Sequence, residues 1–255
     1  MTKQPIPIPL SKPHLATALA LEWDVLRSVA DATRSHLIPL TSLTCRALDT
    51  VESEAQNDTS IREYIIKTVM RYLETDTLLC WAPEVDPRDP SAHLNSAGQS
   101  LRHTQREAAE AVVAYLTANV WPGIGFVPVL DGQSIFPNRQ REDTLAVVRG
   151  WLAGMTAWEL VGLERAVLAT KSLLLGARLL AEWSEGPVGV RGRGREAEGE
   201  AGKVFGVEEA ARLASLEVSW QTGRWGEVED THDVDREDLR RQLGSVVLLV
   251  SGTGR

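Results

Sequence analysis

The stretch TAWELVGLERAVLATKSLLLGARLLAEWSE, Thr156 to Glu185, decides the fold. Thr156 with Glu159 three residues on has the form of a capping box, so a helix is expected to start there. Beyond it Leu160, Val161, Leu163, Val167, Leu168, Leu173, Leu174, Leu175, Leu179 and Leu180 leave almost no side of that helix polar. A helix apolar all round is one that other elements surround. Read as one uninterrupted element it would run roughly 40 Å, enough to cross a domain. It is not membrane-spanning, because Glu164, Arg165, Lys171, Arg178 and Glu182 interrupt every long apolar run.

Working outward, the flanks read as further helices. Ser11, Lys12 and Pro13 are a start signal, and Leu15, Leu19, Trp23 and Leu26 then form one face. Trp23 continues that face and is expected in the core. Pro39 opens a second helix with Leu40, Leu43, Ala47 and Val51 inward. Ile61, Ile65, Val69 and Tyr72 mark a third. Pro83 to Pro90 is a loop, Leu101 to Val120 a helix, and Phe126 to Pro137 an irregular piece punctuated by Pro and Asp-Gly. A helix over Arg141 to Leu152 precedes the central one. The Gly-, Arg- and Glu-rich Gly186 to Gly206 is expected to be flexible, for want of large apolar side chains. Helices over Val207 to Thr222 and Asp235 to Val250 close the chain. The expected class is mainly α: an orthogonal helical bundle with one long central helix.

Composition narrows function. Of 255 residues, 43% are hydrophobic and 24% charged, ordinary for a globular protein with a sizeable core. A net charge of -8 argues against a phosphate-binding surface, since nucleic-acid affinity rests on Lys and Arg. Cys45 and Cys80 form no CxxC pair and are expected to be buried thiols in a reducing compartment. Neither a GxxxxGK loop nor a GxSxG elbow occurs. The five histidines never recur at ligand spacing. His232 and Asp233 form an HD pair of the kind used by metal-dependent phosphohydrolases, but no matching ligands stand out, and a polar turn accounts for it. Lys171 fits a snorkelling lysine better than a catalytic one. We therefore expect no catalytic residue, no metal and no cofactor.

The strongest local anomaly is WGEVEDTHDVDRED, Trp225 to Asp238, with seven carboxylates against one base, Arg236. Asp235, Glu237 and Asp238 suit the start of a helix, where the dipole favours negative charge. Glu227, Glu229 and Asp230 beside Trp225 are not explained so. An indole next to an acidic cluster suits docking on an Arg-bearing partner, and a solvated turn is the equal alternative.

Five stretches taken together carry a resemblance. SKPHLATALALEWD (Ser11 to Asp24), IPLTSLTCRALD (Ile38 to Asp49), YLETDTLLCWAPE (Tyr72 to Glu84), WELVGLERAVLATKSLLLGARLL (Trp158 to Leu180) and ASLEVSWQTGRWGEVEDTHDVDREDLRRQL (Ala214 to Leu243) follow in this order. The chain resembles the family of mitochondrial ATP synthase assembly factors that chaperone the alpha subunit, fungal members in particular. The resemblance implies a matrix protein, monomeric when free, that holds the unassembled alpha subunit until beta subunits replace it, without nucleic acid or membrane insertion. Family members begin with a beta-rich domain, of which residues 1–10, including IPIPL at Ile6 to Leu10, are expected to be a remnant. Residues 11–252 would be the helical chaperone domain, with its flexible loop at about 186–206. The residues expected to bind the partner are Trp225, Glu227, Glu229, Asp230, His232 and Asp233. An HD-type phosphohydrolase and an adaptor without chaperone activity are the alternatives.

Overall fold

The computed structural model describes residues 5–85, 93–190, 204–225 and 231–251. Among them stand ten helices and no strand; a single parallel bridge joins Cys80 to Leu130. The mainly helical class is as the sequence implies. The long central helix is not. It is two helices, α6 (Ala157–Thr170) and α7 (Leu173–Trp183), folded back on each other.

The break has a local cause that composition hides. Lys171 takes a left-handed conformation, φ 58°, and Ser172 caps the new helix by accepting from the Leu175 amide at 3.0 Å. Asp76 completes the turn from a distant part of the chain. Its fully buried carboxylate accepts from the Leu174 amide at 3.0 Å and from the Leu78 amide at 3.0 Å. The Thr77 amide in turn donates to the Lys171 carbonyl at 3.2 Å. Lys171 itself is exposed, its Nζ donating to the Leu168 carbonyl, 5.9 Å from the Tyr72 ring centre.

The open end of the hairpin is tied by Glu159, which is 1% exposed. The capping box with Thr156 is present as expected. The same carboxylate also accepts from the Ser184 hydroxyl at 2.7 Å and the Val188 amide at 3.0 Å, beyond the end of α7. A buried carboxylate is tolerable here because each oxygen is satisfied. These bonds also pack the start of the segment expected to be flexible: Val188 and, past it, Phe205 are buried. Residues 191–203 of that segment lie outside the described residues.

Around the hairpin pack α2 (Pro39–Ala55), α3 (Ser60–Leu73), α4 (Leu101–Asn119), α8 (Val207–Ala214) and α10 (Thr231–Val250). Pro39 opens α2 as expected, and Leu43, Ala47, Ile65 and Val69 lie in the core. Gly162 lets α10 approach α6: a Cβ there would stand 2.8 Å from Val250. One ion pair joins two helices and a second lies within α7. Arg46 on α2 grips Glu164 on α6 through two bonds of 2.7 and 2.9 Å. Arg178 on α7 pairs with Glu182 at 2.9 Å between the rings of Tyr115 and Phe205.

The periphery is completed by α1 (Pro13–Asp24), α5 (Glu142–Ala153) and α9 (Leu216–Trp225). Lys12, not Ser11, is the N-cap of α1, and no side chain caps it. The Lys12 ammonium is occupied elsewhere, donating to the Leu249 carbonyl at 2.9 Å and the Ser251 carbonyl at 3.3 Å at the end of α10. Burial pushes its pKa down, against the pull of Glu185 and Glu159. Trp23 is 47% exposed rather than in the core, its ring N–H donating to the buried Thr41 Oγ1 at 2.9 Å. Cys45 and Cys80 are free and half-buried, not fully buried.

Burial pushes the Asp76 carboxyl up to about 6, although hydrogen bonds from Ser172 and from the Leu174, Leu78 and Leu173 amides pull it down. Between the unfolded value of 3.8 and this native value the folded state holds more protons, so stability falls as pH rises through that window. Urea titrations at several pH values should show wild type losing stability relative to Asp76→Asn from about pH 4 to about pH 7, by on the order of 3 kcal/mol. Parallel pH profiles for the two proteins would contradict this.

Candidate functional site

The acidic stretch joins α9 to α10. The last helix starts at Thr231, four residues before the expected Asp235, so His232 and Asp233 belong to its first turn rather than to an interhelical turn. Trp225 is the final residue of α9. Glu227, Glu229 and Asp230 lie outside the described residues, as do the side chains of Trp225 and His232. Of the six expected contact residues only Asp233 has a described side chain, 71% exposed and 3.8 Å from Arg236.

What the fold does bring together is a cleft of about 520 Å³ between α9 and α10. Val218 and Thr222 of α9 line one wall, Asp235, Asp238 and Leu239 of α10 the other, and Lys171 at the hairpin turn stands at its edge. The carboxylates along α10 differ in what they face. Glu237 pairs with Arg240 at 2.7 Å, and Arg240 is shared with Glu208 at 2.9 Å. Asp238 accepts from Gln242 one turn on. Asp235 is exposed and has neither hydrogen bond nor ion pair among the described residues. Val234 beside it is 65% exposed.

An apolar floor with an unpaired carboxylate at its rim can receive a protein side chain bearing a guanidinium or ammonium group. Such a cleft has the form of a binding surface. Among the described residues no three His, Cys, Asp or Glu side chains gather to hold a metal ion. The periodicity of 218 and 222 with 235, 238, 239 and 242 was the signal for this cleft. It shows only once α9 is separated from α8 at Ser215, a break the single expected helix over Val207 to Thr222 conceals.

Comparison with known proteins follows the same lines. Residues 1–117 match the model of the family described as ATP12 chaperone protein. The chain is 29% identical over 254 residues to the mitochondrial protein atp12 of Schizosaccharomyces pombe, covering 96% of this chain and 70% of that protein. It is 28% identical over 252 residues to the mitochondrial protein ATP12 of Saccharomyces cerevisiae, covering 93% and 71%. The fold is shared with Atp12 from Paracoccus denitrificans, with a TM-score of 0.62 at 19% identity over 97% of this chain and 84% of that one. Fold and relatives together make the chain similar to a class of chaperones. More particularly, the chain is similar to the ATP12 chaperone family, whose model its residues 1–117 match.

Asp233 and Asp235 sit in the first turns of α10, where the helix dipole rewards negative charge by about 0.3–1 kcal/mol at exposed positions. Asp233→Asn and Asp235→Asn should therefore each lower stability by no more than about 1 kcal/mol in urea titrations. A larger loss would give these carboxylates a structural role instead of a surface one.

Proposed function

We propose that this chain is an assembly chaperone that binds the unassembled alpha subunit of the mitochondrial ATP synthase in the matrix and keeps it from aggregating until beta subunits replace it. Its similarity to the ATP12 chaperone family is the observation that carries the reading, and the mitochondrial naming of its fungal relatives supports the compartment. The partner-facing surface is the acidic end formed by Trp225, Glu227, Glu229, Asp230, His232 and Asp233, continued by the α9–α10 cleft. Residues 11–252 act as the holding domain, monomeric when free, and no bond is made or broken in the client.

The physics suits this task. A free subunit of an obligate ring exposes large interfaces, apolar with charged rims, that would otherwise drive aggregation. A negatively charged cap covers such a surface and steers encounter with its basic groups. Exposed charge contributes little affinity per pair and is weakened by salt, which lets the cap yield when the true neighbour docks.

Mixing the purified chain with isolated alpha or beta subunit at low salt, followed by size-exclusion chromatography, should give a complex with alpha alone. Glu229→Lys should weaken that complex at least ten-fold while leaving helicity by circular dichroism unchanged. Undiminished binding by Glu229→Lys would remove the acidic end from the interface. Absence of any wild-type complex with alpha would remove the client itself.

A further inference from the structure

A second surface lies further along α10, on a neighbouring row of the helix, and is mostly aliphatic. Helix α10 carries Arg241, Ser245 and Leu248 at i, i+4 and i+7 along one row. Helix α1 lies against it and presents Leu21 and, at its C-cap, Val25. Between the two rows runs a groove of about 570 Å³ whose floor and sides are mostly aliphatic, with Leu26 and Leu37 contributing. Leu21 is 60% exposed, Val25 72% and Leu248 38%, a concentration of uncovered aliphatic surface in one place. Ser245, small and buried, leaves room for close approach.

The charges around this groove decide what fits it. Its two carboxylates are already committed. Glu22 accepts from the Leu40 amide at 2.8 Å, the Thr41 amide at 2.8 Å and the Thr41 hydroxyl at 2.6 Å, spending its charge on the first turn of α2. Asp31 accepts from the Arg27 and Ser28 amides at 3.3 and 3.0 Å and lies 3.7 Å from Arg34. The two guanidinium groups are not committed in this way. Arg27 and Arg241 have no carboxylate within ion-pair distance among the described residues, and Arg241 makes only a 3.2 Å bond to the His36 carbonyl. In a chain of net charge -8, two unpaired arginines flanking an aliphatic groove are a selective feature.

We infer that this groove is a docking site for an amphipathic helix of a protein partner, aliphatic on one face and carrying carboxylates along its edges. Two helices side by side leave between their outer rows the channel into which the ridge of a third helix packs. Aliphatic anchors of the incoming helix cover Leu21, Val25 and Leu248, and its carboxylates meet Arg27 and Arg241 as bidentate pairs. This assignment is independent of the client proposed above and of the acidic end, since it uses other residues and the opposite charge.

The test uses the full chain and two fluorescein-labelled helical peptides with the same leucine row, one flanked by glutamates and one by lysines, read by fluorescence anisotropy at low salt. The glutamate peptide should bind. Leu21→Asp, or Val25→Asp if the first variant folds poorly, should weaken it at least ten-fold while leaving any binding of the lysine peptide elsewhere unchanged. Combining Arg27→Glu with Arg241→Glu should weaken the glutamate peptide at least ten-fold and strengthen the lysine peptide. No binding of the glutamate peptide, or binding indifferent to Leu21→Asp and Val25→Asp, would overturn the site. Binding that depends on Leu21 but not on the arginines would overturn its chemistry. A concentration-dependent dimer in sedimentation that Leu21→Asp dissolves would give the groove to a second copy of the chain.

Discussion

Two buried carboxylates hold the α6–α7 hairpin, and α2, α3, α4, α8 and α10 pack directly around it. Asp76 closes the turn, accepting from Leu174 at the start of α7 and from Leu78 in its own segment, and Glu159 closes the open end, accepting from donors at both ends of the hairpin. The hairpin itself is apolar on nearly all sides, and burying each of its leucines contributes about 1.5–3 kcal/mol. That driving force is non-directional. Hydrophobicity alone would accept one straight rod or two folded halves; the satisfied carboxylates are what select the folded arrangement. Once folded, the hairpin presents one side to α2 and α3, another to α4, and a glycine-lined strip to α10.

The consequence for function runs through α10. Leu243, Val246 and Val250 of this helix face the core, Asp235, Asp238 and Leu239 face the α9 cleft, and Arg241, Ser245 and Leu248 face the α1 groove. One helix thus carries an anchoring row and two surface rows, one with the unpaired Asp235 and one with the unpaired Arg241. Lys12 clasps its C-terminal carbonyls and Gly162 fixes its distance from α6. The surface rows are therefore displayed on a rigid element, which suits a chaperone that must recognise a client without ordering itself at each encounter.

Much of this fold is legible in the sequence because its signals are local. Pro39 and Pro13 mark helix starts, Thr156 with Glu159 marks another, and the aliphatic spacing places Leu43, Ile65 and Val69 inward. What stays hidden depends on distant partners. The break at Lys171 contains neither glycine nor proline, and Asp76, nearly a hundred positions earlier, supplies its cap. The packing of Val188 likewise comes from Glu159. Trp23 reads as a core residue by period alone, yet it is half exposed with its ring N–H bound to a hydroxyl on α2. Of the acidic stretch, the charge was legible and its division between two helices was not, since Asp233 already stands inside α10. The groove beside α1 was illegible for another reason: Leu21 and Val25 lie off the Leu15–Leu19 face, and only the neighbouring row of α10 shows that they border an open channel.

The account rests on a preformed scaffold that meets its client through the α9–α10 end. Hydrogen–deuterium exchange on the full chain, with and without isolated alpha subunit, tests this directly. The prediction is new protection confined to peptides spanning 216–239, with exchange in the α6–α7 hairpin unchanged. Protection elsewhere with none in that span, or a hairpin that orders only when the client is added, would contradict it.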